Sequence, residues 1–154
     1  CAMRHFDFNE VNSYSYEQLF ETMRLLRLPY PQAEQMFRRM VFNVMGRNCD
    51  DHTKNFAFVM DKQGKWRLSP AFDICHAYRP GSDWVSQHAL SINGKRKNIT
   101  KKDLLDVARQ MNIKKAESII NEIAEVFNHW EIYADKVQLE KKLKIAISKT
   151  LSVL

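Results

Sequence analysis

The densest group of reactive side chains in the sequence is NCDDHTKNFAF, residues 48–58. Its first eight positions contain two acids, a histidine, a lysine and two asparagines, and an apolar run follows directly. Carboxylates, imidazoles and amines at such short intervals can bind metal ions or move protons. Polar turns rich in asparagine and aspartate also occur without any chemistry, and both interpretations are open at this point.

The spacing inside this cluster favours phosphoryl transfer. Asp50 and Asn55 stand five apart, as D-x-x-x-x-N. Protein kinases use that interval for an aspartate that accepts the proton of the substrate hydroxyl and an asparagine that holds Mg²⁺. One further acid is expected after a hairpin, to complete the metal site, and Asp73 in PAFDIC fits. Lys54 lies near enough to Asp50 to neutralise charge on a transferred phosphoryl group.

Two amphipathic helices are predicted before the cluster. The first covers 15–28, where Ser15 and Gln18 have the spacing of a capping box. The second begins at Pro31 and ends at Gly46, with apolar residues at three- and four-residue steps between them. The cluster therefore follows directly on a helix end, where loops commonly display functional groups on rigid supports.

A β-hairpin, a long loop and three helices are predicted after the cluster. The hairpin pairs 56–60 with 65–68 around the turn DKQG, and a further short strand is predicted within 88–95. The closing helices are one capped by Thr100 and Asp103, one over 113–134 and one over 137–153. The predicted fold class is mainly α with a small β-hairpin insertion, in a single domain over residues 1–154.

Composition narrows the class of protein further. The 154 residues are 45% hydrophobic and 27% charged, which is typical of one globular domain. No apolar run reaches the roughly 18 residues of a membrane helix. Three cysteines, Cys1, Cys49 and Cys75, without C-x-x-C spacing favour a reducing cytoplasm over a disulfide scaffold, and Cys75 is expected to pack as a small hydrophobe.

These motifs carry a resemblance to a known family. RRMVFNVMGRNCDDHTKNFAFVMDKQGKWRLSPAFDICHAY, residues 38–78, resembles the C-terminal core of the HipA-like serine/threonine kinases, the toxins of bacterial toxin–antitoxin systems. The similarity extends from NSYSYEQLF to ALSINGKRKNITKKDLL, about two thirds of the chain. The combination of D-x-H-x-K-N-F with W-R-L-S-P-A-F-D is its most specific part, and it implies the C-terminal lobe of a protein-kinase-like fold.

The resemblance implies roles for individual residues. Asp50 would be the catalytic aspartate, and His52 and Lys54 its companions in the catalytic loop. Asn55 would bind the magnesium ion, and Asp73 would be the metal-binding counterpart of a DFG aspartate, although Phe72-Asp73-Ile74 lacks that motif's glycine. Asp51 stands where other members can have glycine, so it receives no role.

The resemblance also implies cofactors and partners. Such kinases use ATP and Mg²⁺, phosphorylate serine or threonine on proteins, including an aminoacyl-tRNA synthetase, and can inactivate themselves by autophosphorylation. By position alone, Ser82 and Ser86 are candidates for that modification. The expected partner is a small DNA-binding antitoxin of the HipB type on operator DNA, and no membrane is implied.

A kinase also needs an upper lobe with a glycine-rich loop and a strand lysine. The four glycines of the chain form neither G-x-G-x-x-G nor G-x-x-x-x-G-K-[ST], and no V-A-I-K-like strand precedes the cluster. We therefore expect the nucleotide-binding lobe to lie outside this chain, which alone would transfer phosphate inefficiently.

Two other functions fit parts of the sequence. A hydrolytic metal site is possible from five side chains: Asp50, Asp51, His52, Asp73 and His76. A basic module for DNA or an acidic partner is possible as well, because the net charge is +6 and NGKRKNITKK is its densest basic part. Its contact residues would be Lys95, Arg96, Lys97, Lys101 and Lys102.

Overall fold

The structure is a computed structural model that describes residues 4–7, 10 and 13–154. Six α-helices and a two-stranded hairpin are found in this part of the chain, with a 3-10 helix, Thr53–Asn55, just before the hairpin. In chain order they are α1 (Tyr16–Leu25), α2 (Tyr30–Met45), β1 (Phe58–Met60), β2 (Trp66–Leu68), α3 (Lys101–Met111), α4 (Ala116–Asn128), α5 (Trp130–Lys136) and α6 (Lys141–Ser148). The predicted mainly helical fold with a small hairpin is confirmed.

Both predicted capping boxes are present. The Ser15 hydroxyl accepts from the backbone N–H of Gln18 at 3.2 Å, and the Gln18 side chain accepts from the Ser15 N–H at 2.9 Å. Thr100 and Asp103 form the same arrangement at the start of α3. Each box satisfies backbone donors that the first helical turn leaves without a partner, which fixes where these helices begin.

The core lies where α2 packs against α1 and α4. The apolar face of α2 is fully buried there, and each side chain of this size contributes roughly 1.5–3 kcal/mol on burial. The core side chains of these three helices are Tyr16, Leu19, Phe20, Met23, Met36, Phe37, Met40, Val41, Val44, Met45, Ala116, Ile119, Ile120, Ile123 and Phe127. Because α2 leads directly into the polar cluster, its anchoring gives that loop a rigid base.

Gly46 ends α2 as predicted, but for a different reason. Its φ is −80°, which any residue can adopt. A Cβ at this position would lie 2.9 Å from Phe127 Cζ and 3.0 Å from the Phe42 carbonyl oxygen. The glycine is therefore required by the close approach of α4, and the left-handed conformation that ends the helix falls on the next residue, Arg47, at φ 54°.

The hairpin is confirmed in register and slightly shorter than predicted. Phe58 pairs with Leu68 and Met60 with Trp66. Backbone hydrogen bonds from Asp61 N–H to Lys65 and from Ser69 N–H to the Ala57 carbonyl, both 3.0 Å, continue the pairing beyond the strands. The predicted strand within 88–95 is present only as isolated pairings among the described residues.

The C-terminal helices differ from the prediction. The helix expected over 113–134 is broken at His129, whose N–H bonds Val126 O at 3.2 Å instead of continuing the α-helical pattern. The helix expected over 137–153 is reduced to α6, and none of its eight residues is buried. No glycine or proline stands at these breaks. The helical spacing of apolar residues therefore continues across them, and the sequence predicts longer helices than the structure has.

The chain after α6 returns to the end of α2. Ser152 N–H donates to the Met45 carbonyl at 2.9 Å, and Arg47 Nε donates to the Thr150 carbonyl at 2.9 Å. The carbonyls of a last helical turn lack partners within the helix, so the returning chain satisfies one of them. Within the described residues, none of the helices has both the length and the apolar character needed to cross a membrane.

Candidate functional site

The polar cluster begins in a Schellman turn at the end of α2. Asn48 N–H donates to the Asn43 carbonyl at 2.9 Å and Arg47 N–H to Val44 at 3.4 Å, around the left-handed Arg47. A left-handed conformation costs a residue with a Cβ roughly 1–2 kcal/mol. The Arg47 guanidinium stacks 4.9 Å from the centre of the Tyr78 ring, which helps to hold it there.

Backbone hydrogen bonds then hold the loop between two other segments. On one side Ala77 N–H donates to Arg47 O and Cys49 N–H to Ala77 O, both at 3.0 Å. On the other side Ala89 N–H donates to Cys49 O at 3.1 Å. Residues 47–49 therefore lie like a short strand between two loops, which fixes the path of the chain just before Asp50.

The three candidate catalytic residues follow directly. The Asp50 carboxylate is 49% exposed, and His52 Nε2 lies 3.7 Å from its Oδ1. Lys54 is exposed. Asn55 Nδ2 donates to the Asp50 carbonyl at 2.8 Å, so the amide nitrogen is engaged and the amide oxygen is left to accept or coordinate. The sequence interval of five is thus a direct contact between the two residues.

Asp73 lies in the loop after β2 and has a left-handed backbone at φ 52°. Its carbonyl accepts from Asn48 Nδ2 at 3.4 Å, which ties it to the start of the cluster. Such strained positions persist only where the surrounding structure determines them, and they concentrate at functional sites.

Cys75 lies two residues after Asp73 in the same loop. Burial first, and then the carboxylates of Asp73 and Asp50, raise the pKa of the Cys75 thiol above its ordinary value. Cys75 itself is exposed, so the expectation that it packs as a small hydrophobe is wrong; the backbone of this loop runs along the surface.

Asp51, to which the family resemblance assigned no role, is buried directly beside the candidate site. Its side chain is 0% exposed. Oδ2 accepts from the Tyr16 hydroxyl at 2.8 Å and contacts His88 Nδ1 at 2.9 Å, while Oδ1 accepts from the Ala89 N–H at 2.8 Å. In the sequence, the pair Asp50-Asp51 was the only local sign of this arrangement. The hydrogen-bond partners of Asp51 lie 35 or more positions away.

The buried carboxylate shapes the electrostatics around it. Burial, and then Asp51, raise the pKa of Tyr16 well above its ordinary value and that of Cys49 to about 12. Burial lowers the pKa of Arg96, and the charge of Asp51 opposes that shift. Arg96 donates to the carbonyls of Ala89 and Tyr14, so it packs inside the fold as a counter-charge to Asp51.

The hydrolytic metal site is not formed. Asp51 is turned into the core, and His76 Nε2 contacts the Thr150 hydroxyl at 2.8 Å. Among the residues that the structure describes, no three His, Cys, Asp or Glu side chains are grouped so that they could hold a metal ion.

Most of the predicted basic patch is also engaged within the fold. Lys95 pairs with Asp103 at 2.8 Å and Lys102 with Asp106 at 2.7 Å, and Arg96 bonds the carbonyls described above. These internal contacts neutralise much of the charge that a nucleic acid would meet. The Ser82 hydroxyl is buried and accepts from the N–H groups of Trp84 and Val85, each at 3.3 Å, so this conformation does not present it for phosphorylation.

A magnesium ion fits the remaining donors. Asn55 and Asp73 offer an amide and a carboxylate oxygen, the hard ligands that Mg²⁺ prefers. Magnesium commonly keeps several waters and takes further oxygens from substrate phosphates, so one or two protein ligands suffice. The absence of a larger acid cluster in the described residues is compatible with such a site.

Comparisons with known proteins agree with the sequence resemblance. The solved HipA of Shewanella oneidensis MR-1, in a complex with HipB and its operator DNA, has a similar fold, with a TM-score of 0.66 at 19% sequence identity. The superposition covers 88% of this chain and 33% of that chain, so the chain spans about a third of that HipA. No curated protein matches. The family described as HipA-like C-terminal domain matches residues 1–130, and the chain therefore belongs to that family.

Proposed function

We propose that this chain is the C-terminal catalytic lobe of a serine/threonine protein kinase that uses ATP and Mg²⁺. The observation that carries the proposal is that Asn48, two positions before Asp50 in the sequence, donates through Nδ2 to the Asp73 carbonyl at 3.4 Å, which ties the two acidic segments together. Asn55 Nδ2 donates to the Asp50 carbonyl at 2.8 Å. Carboxylates and an amide are the groups that phosphoryl transfer requires.

Asp50 is the group that orients and deprotonates the attacking hydroxyl. Its carboxylate is half exposed, so a substrate side chain can reach it. His52, at 3.7 Å, restricts its orientation, and Lys54 adds positive charge at the same exposed edge. The Asn55 bond to the Asp50 carbonyl holds the turn that places the carboxylate.

Asn55 and Asp73 would hold the metal. Magnesium, when bound, supplies positive charge that offsets charge on phosphate oxygens. Asp73 lies in a loop that runs along the surface and has a left-handed backbone, which is uncommon for a residue with a side chain. This backbone conformation sets the direction of the Asp73 carboxylate. ATP itself would need further contacts from an upper lobe, since the sequence lacks a glycine-rich phosphate loop.

The biological setting is proposed by family. The solved Shewanella protein is a HipA bound to HipB and operator DNA. We infer a comparable role as the toxin of a toxin–antitoxin pair in the cytoplasm, with a HipB-like antitoxin that carries the DNA contact. The substrate would be a serine or threonine of a protein, for which an aminoacyl-tRNA synthetase is the first candidate, and autophosphorylation would accompany it.

The test is a phosphorylation assay on the chain joined to the nucleotide-binding lobe of its own gene. Wild type is compared with Asp50→Asn and Asp73→Asn, and Asp83→Asn, an exposed acid of the same long loop, is the matched control. Loss of a positioned general base is expected to lower turnover by about 10²- to 10⁴-fold, with the control unchanged. The isolated chain should show no Asp50-dependent turnover, and equal activity in all four fused proteins would overturn the proposal.

A further inference from the structure

A continuous line of buried side chains runs through the interior from Asp51, the neighbour of Asp50, to Asn48, which bonds the backbone carbonyl of Asp73. Each member is at most 2% exposed, and they come from α1, from α2 and its end, from the cluster and from the loop before α3. We call this line the buried network; its members are His88, Asp51, Tyr16, Asn43 and Asn48.

The hydrogen bonds of the buried network all run in one direction. Asn48 Nδ2 donates to Asn43 Oδ1 at 3.1 Å, and Asn43 Nδ2 donates to the Tyr16 hydroxyl at 2.9 Å. Tyr16 then donates its own proton to Asp51 at 2.8 Å. Since every donor points toward the carboxylate, each bond polarises the next, and the line ends on a charge.

The donor count at Asp51 explains why a carboxylate is needed there. Tyr16, His88 and the Ala89 N–H all face its two oxygens. His88 Nε2 is buried and finds no partner among the described residues, so the ring proton is assigned to Nδ1, which donates to Asp51. An asparagine would place an NH₂ group against one of these donors, which no rotamer avoids.

The buried network reaches both segments that carry the proposed chemistry. Asp51 adjoins Asp50, and Asn48 Nδ2 also donates to the Asp73 carbonyl at 3.4 Å. Asp73 has a left-handed φ of 52°, a conformation that persists where the surroundings impose it. The network therefore bonds the backbone of a strained residue that the proposed chemistry requires.

We propose that Asp51 is a positioning residue that acts through Tyr16, Asn43 and Asn48 to fix the Asp73 backbone relative to Asp50. The role rests on the proposed function, since it matters for catalysis only if these two carboxylates act together. Asp51 touches neither substrate nor metal; it sets the geometry at which both would be held.

The test removes one hydrogen bond in the middle of the line. Tyr16→Phe deletes the hydroxyl and keeps the ring, which packs edge-on against Phe56 at 5.6 Å.

Amide hydrogen exchange is followed by NMR in the chain itself, so the result does not depend on metal, nucleotide or activity. The Cys49 and Ala77 amides are the reporters, because they clamp the cluster to the loop that contains Asp73. The amides of Ile120 and Ile123 in the core of α4 are the internal reference.

If the buried network positions the site, exchange at Cys49 and Ala77 accelerates by at least about tenfold more than at the α4 reference, because the local opening is eased without global unfolding. Asn48→Ala, at the other end of the line, should give the same pattern, and the double variant should be little worse than either single one. Tyr14→Phe is the control and should leave both sets of amides unchanged, because the Tyr14 hydroxyl accepts from the Asp7 N–H at an exposed place outside the buried network.

A uniform acceleration, or none, at Cys49 and Ala77 would overturn the positioning role and leave Asp51 as part of the general core. The phosphorylation assay judges the proposed function separately. Tyr16→Phe in the fused kinase should lower kcat and leave the KM for ATP unchanged if both proposals hold. Inactivity of the wild-type fusion with the exchange pattern intact would remove the kinase role and retain the structural coupling.

Discussion

Asp50 and Asp51 are neighbours in the sequence with opposite environments. The Asp50 side chain is 49% exposed and has one imidazole near it, whereas that of Asp51 is 0% exposed and meets three donors. The first belongs to an exposed face with Asn55 and Asp73, and the second to the buried network. The two residues are consecutive, yet one side chain faces solvent and the other faces the core.

The difference shows how one loop can satisfy two conflicting demands. A carboxylate that must meet a substrate hydroxyl has to remain accessible, and an accessible loop is easily deformed. A buried carboxylate is rigid, because losing its hydrogen bonds in the core costs much free energy. Placing the two side by side gives the reactive group a rigid base without burying it.

The largest expected effect comes from removing each of these two carboxylates in turn. Asp51→Ala should lower the free energy of unfolding by about 3–5 kcal/mol, because three donors lose their acceptor in the core. Asp50→Ala should change it by less than about 0.5 kcal/mol, since its side chain is half solvated. Urea denaturation followed by circular dichroism measures both. Equal losses in the two variants would show that the contrast between these neighbours has no energetic meaning.

A third carboxylate, Asp103, is also buried and accepts several hydrogen bonds. It tests whether such a carboxylate stabilises the fold elsewhere in the chain. Burial alone would raise its pKa, but hydrogen bonds from Lys95, Thr100 and Asn93 outweigh burial and hold the pKa well below the ordinary value of 3.8. A pKa that is lower in the folded chain gives stability that is present above about pH 4 and is lost as the pH falls further. The slope from one such group is at most about 1.4 kcal/mol per pH unit.

Below pH 4, Asp103→Asn should therefore make the free energy of unfolding depend less steeply on pH. Near pH 7 the pH dependence should be the same in the variant and the wild type. Thermal unfolding across pH 2–7 gives the comparison, and Asp83→Asn, an exposed acid, is the control. An acid limb that is identical in wild type and Asp103→Asn would mean that this hydrogen-bonded carboxylate does not couple folding to protonation.

The smallest expected effect is a difference in thiol reactivity between the two sides of the loop. Cys49 is buried, and burial with the nearby Asp51 raises its pKa to about 12. Cys75 is exposed on the other side. At pH 8, iodoacetamide should modify Cys75 at least about tenfold faster than Cys49 in the folded chain, because alkylation needs an accessible thiolate. Peptide mass spectrometry separates these sites from Cys1, which lies outside the described residues.

Asp51→Ala should make Cys49 reactive, since it removes both the charge and the packing that protect this thiol. Comparable labelling rates of Cys49 and Cys75 in the wild type would contradict the burial of Cys49.

The contact between Asp50 and Asn55 and the hairpin before Asp73 were predictable from the sequence, and the buried network was not. The contact spans five positions and the hairpin is local in the chain, so residue types and spacing sufficed for both. Both capping boxes were predictable for the same reason. The break at His129 was missed because the apolar period continues across it, and Gly46 was assigned to helix termination because the approach of Phe127 joins distant parts of the chain.

By itself, the sequence determined the helical class, the hairpin and the family resemblance, because these follow from residue types and their spacing along the chain. Only the tertiary structure decided that Asp51 is the rigid partner of Asp50, that His76 and most of the basic patch serve the fold, and that Asp73 is held in a left-handed conformation. Burial and hydrogen-bond satisfaction depend on which distant side chains meet. That information is distributed over the whole chain, and packing alone assembles it.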